Sequence, residues 1–339
     1  MRNLTQTAIL LSFSIVALLW EPSLSFAHQG TDKSEPAKVI AIRWHVAHGP
    51  GEVVGAGIKE FQRALASRGL TKFQVTTNDY SFQNREVTTA ANLNSFNAIR
   101  RGDFEMGQIY SNVIGLENLE FTLFDRPYFI RDYAHAESIF DGEQGTLLLS
   151  SLDKQGLVGG AFTYSGGMRI LYFTKNVEIK EPGDLKNLRL FVMGGRSNSP
   201  SQGFFQSVGF KPMKVNKELV GDSITDGKVD GFEAIYASAW IEKLSKKLNL
   251  KVYETNHSLH SSVIVFNKKF MDGLAKEEQM ALLDAAKLAA IAERKASKAY
   301  AESIKNRLIG AGIVIRSLPP EVEKFMRNKA DRPKRLADL

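Results

Sequence analysis

The chain contains no cysteine, which excludes disulfides, thiol catalysis, cysteine metal sites and a lipid-modified cysteine near its start. A fold without these is held by an ordinary hydrophobic core. The Gly-x-Ser-x-Gly elbow of nucleophilic serine enzymes is also missing, and Tyr164-Ser165-Gly166-Gly167 approaches it only loosely. Gly49, Gly51, Gly55 and Gly57 match neither the dinucleotide nor the phosphate-loop spacing, and no Gly-Lys-Ser/Thr ending occurs. His45-Val46-Ala47-His48 pairs two histidines without a third metal ligand nearby in sequence. Acidic residues are plentiful but show no isolated pairing suited to acid–base work. No repeat or low-complexity tract is present. These absences argue against an enzyme, and no cofactor or metal is expected.

Long apolar runs are scarce too. The only one, residues 8–19, follows Arg2 and precedes Ser25-Phe26-Ala27, which together read as a secretory signal cleaved after Ala27. The run is shorter than the ~20 residues that span a bilayer. The expectation is therefore an exported mature chain of roughly 310 residues, long enough for two domains. The formal net charge is +7, spread along the chain, which reads as solubility rather than nucleic-acid binding. One basic cluster, Arg327, Lys329, Arg332, Lys334 and Arg335, lies at the C-terminal end.

Periodicity sets out the organisation. After a polar leader, residues 39–44 read as a strand, 53–65 as a helix ended by Gly69, 72–77 as a strand, 87–100 as a helix stopped by Gly102, and 104–110 as a third strand. Alternating strands and helices make parallel βαβ units, hence an α/β lobe. Residues 169–174, 188–192, 214–215 and 231–234 are strand candidates that repeat this rhythm in a second lobe. Residues 276–309 stand apart as a long helix with Leu282, Ala285, Ala289, Ala292, Ala296 and Ala299 in one stripe, whose small side chains allow close packing across both lobes.

Several ordered segments carry more specific information: Phe124-Asp125-Arg126-Pro127-Tyr128-Phe129, Gly167-Met168-Arg169, Asp184-Leu185-Lys186-Asn187-Leu188-Arg189-Leu190-Phe191-Val192, Val208-Gly209-Phe210-Lys211-Pro212, Asp230-Gly231-Phe232-Glu233 and Asn256-His257-Ser258. Their order and spacing resemble the solute-binding subunits of tripartite ATP-independent periplasmic (TRAP) transporters. The resemblance implies two α/β lobes with a hinge and ligand cleft, periplasmic binding protein-like, with a long helix spanning the lobes. Lobe I would comprise residues 38–165 with about 258–298, and lobe II residues 166–257 with about 299–330. It also implies a periplasmic monomer that captures a small organic ligand by closure and delivers it to a membrane permease. A sensor or scavenger of the same fold is the alternative.

One position departs from the family pattern. Phe191 stands where the family's carboxylate-clamping arginine is usual, while Arg169 retains a second family arginine. Three readings follow. An acidic ligand could be held by Arg169 with help from Arg189, which lies two residues and ~6.6 Å along the strand from Phe191. A neutral, aromatic or amine-bearing ligand could stack on Phe191, with Tyr164, Tyr236 or Trp240 beside it. Or Phe191 packs in the core and Arg196 takes over. Glu233, His48 and Asn84 complete the candidate ligand contacts.

Overall fold

The computed structural model describes residues 39–46, 49, 51–77, 89–192, 200–215, 219–238, 241, 244, 245 and 247–330. Its strands are β1 Ile40–Val46, β2 Phe73–Thr77, β3 Met106–Tyr110, β4 Leu157–Thr174, β5 Arg189–Phe191, β6 Lys211–Met213, β7 Gly231–Ile235, β8 Leu250–Asn267 and β9 Val314–Arg316. They form one sheet in the order β2-β1-β3-β8-β4-β7-β5-β6, with β9 also beside β8. The main helices are α1 Gly51–Ala66, α2 Thr89–Arg101, α3 Tyr133–Phe140, α4 Glu143–Ser151, α5 Pro200–Ser207, α6 Lys276–Gly310 and α7 Pro320–Lys329. β1 pairs in parallel with β2 and β3, and β5 in parallel with β6 and β7, the pairing that crossover helices require.

The two 18-residue strands β4 and β8 connect the lobes. They run antiparallel from Leu157↔Asn267 to Thr174↔Leu250, and their register shifts between Tyr164 and Met168 and between Arg169 and Leu171. One half of β8 pairs with β3 and the opposite half of β4 pairs with β7. Each lobe thus grows outward from the same two strands, and the irregular pairing lies between them.

Burial explains why these strands are so apolar. On the first-lobe half, Ile109, Phe162, Val263 and Val265 pack in one cluster, while Trp44, Phe61, Ile264 and Phe266 pack in another with Leu282, Ala285, Ala286, Ala289 and Ala290 of α6. On the second-lobe half, Ile170, Tyr172 and Phe232 pack with Ala301, Ile304 and Leu308 of the same helix. The remaining face gathers Leu171, Phe173, Leu190 and Tyr253 with Val322 and Met326 of α7. Helix α6 therefore lies along both halves on one side of the sheet.

Two expectations need correction. The strand placed at residues 214–215 is instead β6, whose Pro212 made it look unlike a strand. Proline is tolerated there because β6 is the edge of the sheet. The alanine stripe of α6 also drifts: past Ala289 the buried positions are Ala290, Glu293, Arg294, Ser297, Ala301, Ile304 and Leu308, whereas Ala299 is exposed. Helical geometry, not alanine content, decides the face, and the buried charges take partners. Gln108 Nε2 donates to Glu293 at 2.6 Å, and Arg294 donates to both carboxylate oxygens of Asp141 at 2.9 and 3.0 Å. Close approach is real at the start of the stripe, where a Cβ on Gly57 would lie 3.2 Å from the Ala289 carbonyl oxygen.

Candidate ligand-binding site

β4 enters the second lobe through Gly167, whose φ of +81° suits glycine and where a Cβ would sit 2.6 Å from the Tyr133 hydroxyl. Two residues on, Arg169 is in register with Ile235 of β7 on one side and Ser258 of β8 on the other. Glu233 is its diagonal neighbour on the same sheet face. Arg169 Nη1 lies 3.5 Å from Glu233 Oε1, and His257 Nε2 lies 2.9 Å from that oxygen. His257 Nδ1 is 2.7 Å from Thr255 Oγ1. A neutral imidazole that donates from Nε2 to Glu233 and accepts the Thr255 hydroxyl at Nδ1 satisfies both contacts. Phe205 closes over the imidazole edge-on, ring centres 5.2 Å apart.

All four side chains are buried. The chain Thr255–His257–Glu233 therefore fixes a guanidinium in a water-poor place, where its orientation is set before any ligand arrives. Arg169 Nε and Ser258 Oγ, on adjacent strands, are buried with no hydrogen-bond partner among the described residues. Such idle groups cost free energy unless something outside the chain satisfies them.

The turn after residue 123 is tied to β8 next to this cluster. Tyr128 has a φ of +59° and the nearby Asn256 one of +43°. The first is unusual for a bulky residue, and such conformations cost roughly 1–3 kcal/mol. They persist because the surroundings hold them. Tyr128 N–H donates to the His257 carbonyl, its ring packs with Leu171 and Phe204, and the Arg327 guanidinium lies 4.5 Å from the ring centre. This turn brings Asp125 within electrostatic reach of Arg169 and Glu233. Burial pushes the Asp125 carboxyl above the usual carboxylate range; Arg169 pulls it back, Glu233 pushes it further up, and a hydrogen bond from Asn112 favours the ion. Tyr110, at the end of β3, stacks on His260 with ring centres 4.1 Å apart. Burial raises its phenol as well, against the pull of Arg169.

Of the residues singled out from sequence, Arg169 and Glu233 come together here. Phe191 does not join them: it is 7% exposed and packs with Ile170, Tyr172, Val220 and Phe232 in the cluster that also holds α6, whereas Leu190 and Val192 pack on the Arg169 face. Arg189 shares the Phe191 face and holds Asp230 in a fork, with Nε at 3.0 Å and Nη2 at 2.6 Å. Tyr164 donates to Glu137 at 2.7 Å, and Tyr236 donates to Glu254 at 2.9 Å. Tyr236 lines a separate cavity of about 230 Å³ with Arg131, Tyr133, Met168, Glu254 and Lys305. His48, Trp240, Asn84 and Arg196 lie outside the described residues.

Sequence reasoning did not assign site roles to Asp125, Asn112, Tyr110, His257 or Ser258. Two of the segments it singled out contain Asp125 and the pair His257-Ser258, so the signal was present as motif but not as role. Asn187 shows the reverse: it replaces a family glycine and keeps its backbone, with φ of +66°, a conformation asparagine tolerates.

Residues 45–334 match the family described as bacterial extracellular solute-binding protein, family 7. This chain belongs to that family. Family members are solute-binding proteins, and the TRAP-type subunits among them work with membrane permease subunits. Among relatives, the C4-dicarboxylate-binding periplasmic protein DctP of Rhodobacter capsulatus is 24% identical over 78% of this chain and 75% of its own length. A TRAP periplasmic solute-binding protein of Ochrobactrum anthropi, with its C-terminus bound in the ligand pocket, superposes with a TM-score of 0.76 at 20% identity, covering 86% of this chain and 88% of that one. A counterpart from a Sulfitobacter species with bound β-D-galacturonate gives a TM-score of 0.69 at 19% identity, covering 86% and 93%. These likenesses carry the fold, and they bear out the two-lobed α/β architecture read from the sequence. Among the described residues, no helix is long and apolar enough to cross a membrane.

Proposed function

We propose that this member of the family is an exported, non-enzymatic ligand carrier that closes on a small organic acid, grips its carboxylate with Arg169 and passes it to a TRAP-type permease. The observation behind this reading is the buried guanidinium, braced by Glu233, His257 and Thr255, whose Nε–H has no acceptor among the described residues. A carboxylate is the partner that a planar guanidinium matches best. Help from Arg189 is not invoked, because that side chain is held by Asp230.

On this reading, lobe I is residues 38–165 with about 258–298, lobe II is residues 166–257 with about 299–330, and the export signal ends at Ala27. DctP of Rhodobacter capsulatus is named for C4-dicarboxylates and the Sulfitobacter protein holds a sugar acid; both ligands carry a carboxylate, which supports the acid. A thermal-shift panel of organic acids and neutral aromatics tests the proposal. Acids should raise the melting temperature and compact the particle in solution scattering, and Arg169→Ala should abolish both effects. Stabilisation by neutral aromatics alone, retained in Arg169→Ala, would overturn it.

A further inference from the structure

The cavity of about 230 Å³ that Tyr236 lines has no part in the Arg169 cluster, and the sheet lies between the two. Along β7, Glu233 faces Arg169, while Phe232, Ala234 and Tyr236 pack on the α6 side. Along β8, Thr255 and His257 join the Arg169 cluster, whereas Glu254 and Asn256 line the cavity together with Ala301 of α6. Gly166 and Met168 line it as well, so it sits where β4 and β8 lose register. Its side walls come from the two halves of the molecule. One is Arg131, Asp132 and Tyr133 at the start of α3, and the other is Tyr236, Glu254 and Asn256.

Each wall satisfies its own polar groups. Asp132 accepts from the His135 N–H at 2.7 Å, and the Arg131 N–H donates to His135 Nδ1 at 3.2 Å. Across the cavity, Glu254 accepts from the Tyr236 hydroxyl at 2.9 Å and pairs with Lys305 at 2.7 Å. Among the described residues, no hydrogen bond or ion pair joins one wall to the other, so the walls can part without breaking one. Lobes that turn about the shared strands β4 and β8 to close on Arg169 separate on the opposite face. The cavity therefore widens on closure. A side chain that fills it is crowded in the open form and accommodated in the closed one, which shifts the equilibrium toward closure. Apparent affinity rises with the closed fraction.

We propose that this rear cavity sets the balance between the open and closed forms, so that its occupied volume tunes ligand affinity from the far side of the sheet without any contact to the ligand. This rests on the reading of Arg169 as the site on which the lobes close. Ala301→Met fills the cavity from α6, and Glu302→Met fills it from the exposed rim; the second carries the test where the first does not fold, as melting curves report. Ala301→Ser adds almost no volume and serves as the control. Solution scattering of the ligand-free proteins and calorimetric titration with D-glucuronate and with succinate give the readouts. A filled variant should have a smaller ligand-free radius of gyration than the parent and bind the acid roughly 5- to 10-fold tighter, while Ala301→Ser matches the parent in both. An unchanged radius, unchanged or weaker binding in a folded filled variant, or an equal gain in Ala301→Ser would overturn the proposal and leave the Arg169 reading standing. If neither acid binds the parent, the Arg169 reading fails, and the ligand-free scattering alone decides the role of the cavity.

Discussion

Glu233→Gln tests the buried brace behind Arg169. At 3.5 Å, and with an effective dielectric of about 20, the two charges attract by about 5 kcal/mol before desolvation. Removing one member of a buried pair costs about 3–5 kcal/mol, because the other is left buried without compensation. Glutamine keeps the shape and can still accept from His257 Nε2, and Asp125 leaves some negative charge beside Arg169. The lower end, about 3 kcal/mol, is therefore expected. At roughly 2 °C per kcal/mol for a chain of this size, the ligand-free protein should melt about 6 °C lower at neutral pH. High salt, about 0.5 M, should leave the difference in place, since screening reaches exposed pairs and not buried ones. Circular dichroism melts of the two proteins, with and without salt, give the answer. A shift under about 1 °C, or one that salt erases, would show that Arg169 and Glu233 are not a buried pair.

The other predictions concern neighbouring elements. Asp125 has an ordinary value of 3.8, raised by burial in the fold; its contribution to stability is full below that value and is lost as pH rises through the folded one. Asp125→Asn should therefore melt higher than the parent at neutral pH and level with it below about pH 4, and a lower melting point at neutral pH would contradict the burial. Gly167→Ala forces a Cβ onto a φ of +81° and to within 2.6 Å of the Tyr133 hydroxyl. Urea denaturation should show a loss of at least about 1 kcal/mol; an unchanged midpoint would mean this turn relaxes freely. Arg189→Ala should leave the urea midpoint nearly unchanged, because the Asp230 pair is partly exposed, and should leave ligand affinity unchanged. A clear loss of affinity would return Arg189 to the cleft.

The fold was legible where pattern and burial agree. β1, α1, β2, α2 and β3 came out within a few residues because alternating and helical apolar spacing survive in elements that pack on one side. β4 was recognised only in its second half: both halves pair with β8 and are buried on both faces, but the second carries the unbroken run Ile170-Leu171-Tyr172-Phe173 whereas Gly159 and Gly160 interrupt the first. The site was legible only in part, for a related reason. Arg169 and Glu233 stand in recognisable motifs, but Asp125, Asn112, His257 and Ser258 meet them through the crossing of β4 and β8 and through the turn at Tyr128, and no local spacing encodes that meeting. Phe191 shows the limit from the other side. Its place in the chain marks it as important, and only the packing shows that its ring lies in the core beneath α6 rather than beside Arg169.

The measurement that bears most directly on the central claim is mass spectrometry of the small molecule released when freshly purified protein is denatured, carried out on the parent and on Arg169→Ala. The account predicts a compound that bears a carboxylate, present in the parent and absent from the variant. Release of a neutral compound, or of the same acid in equal amount from Arg169→Ala, would contradict it.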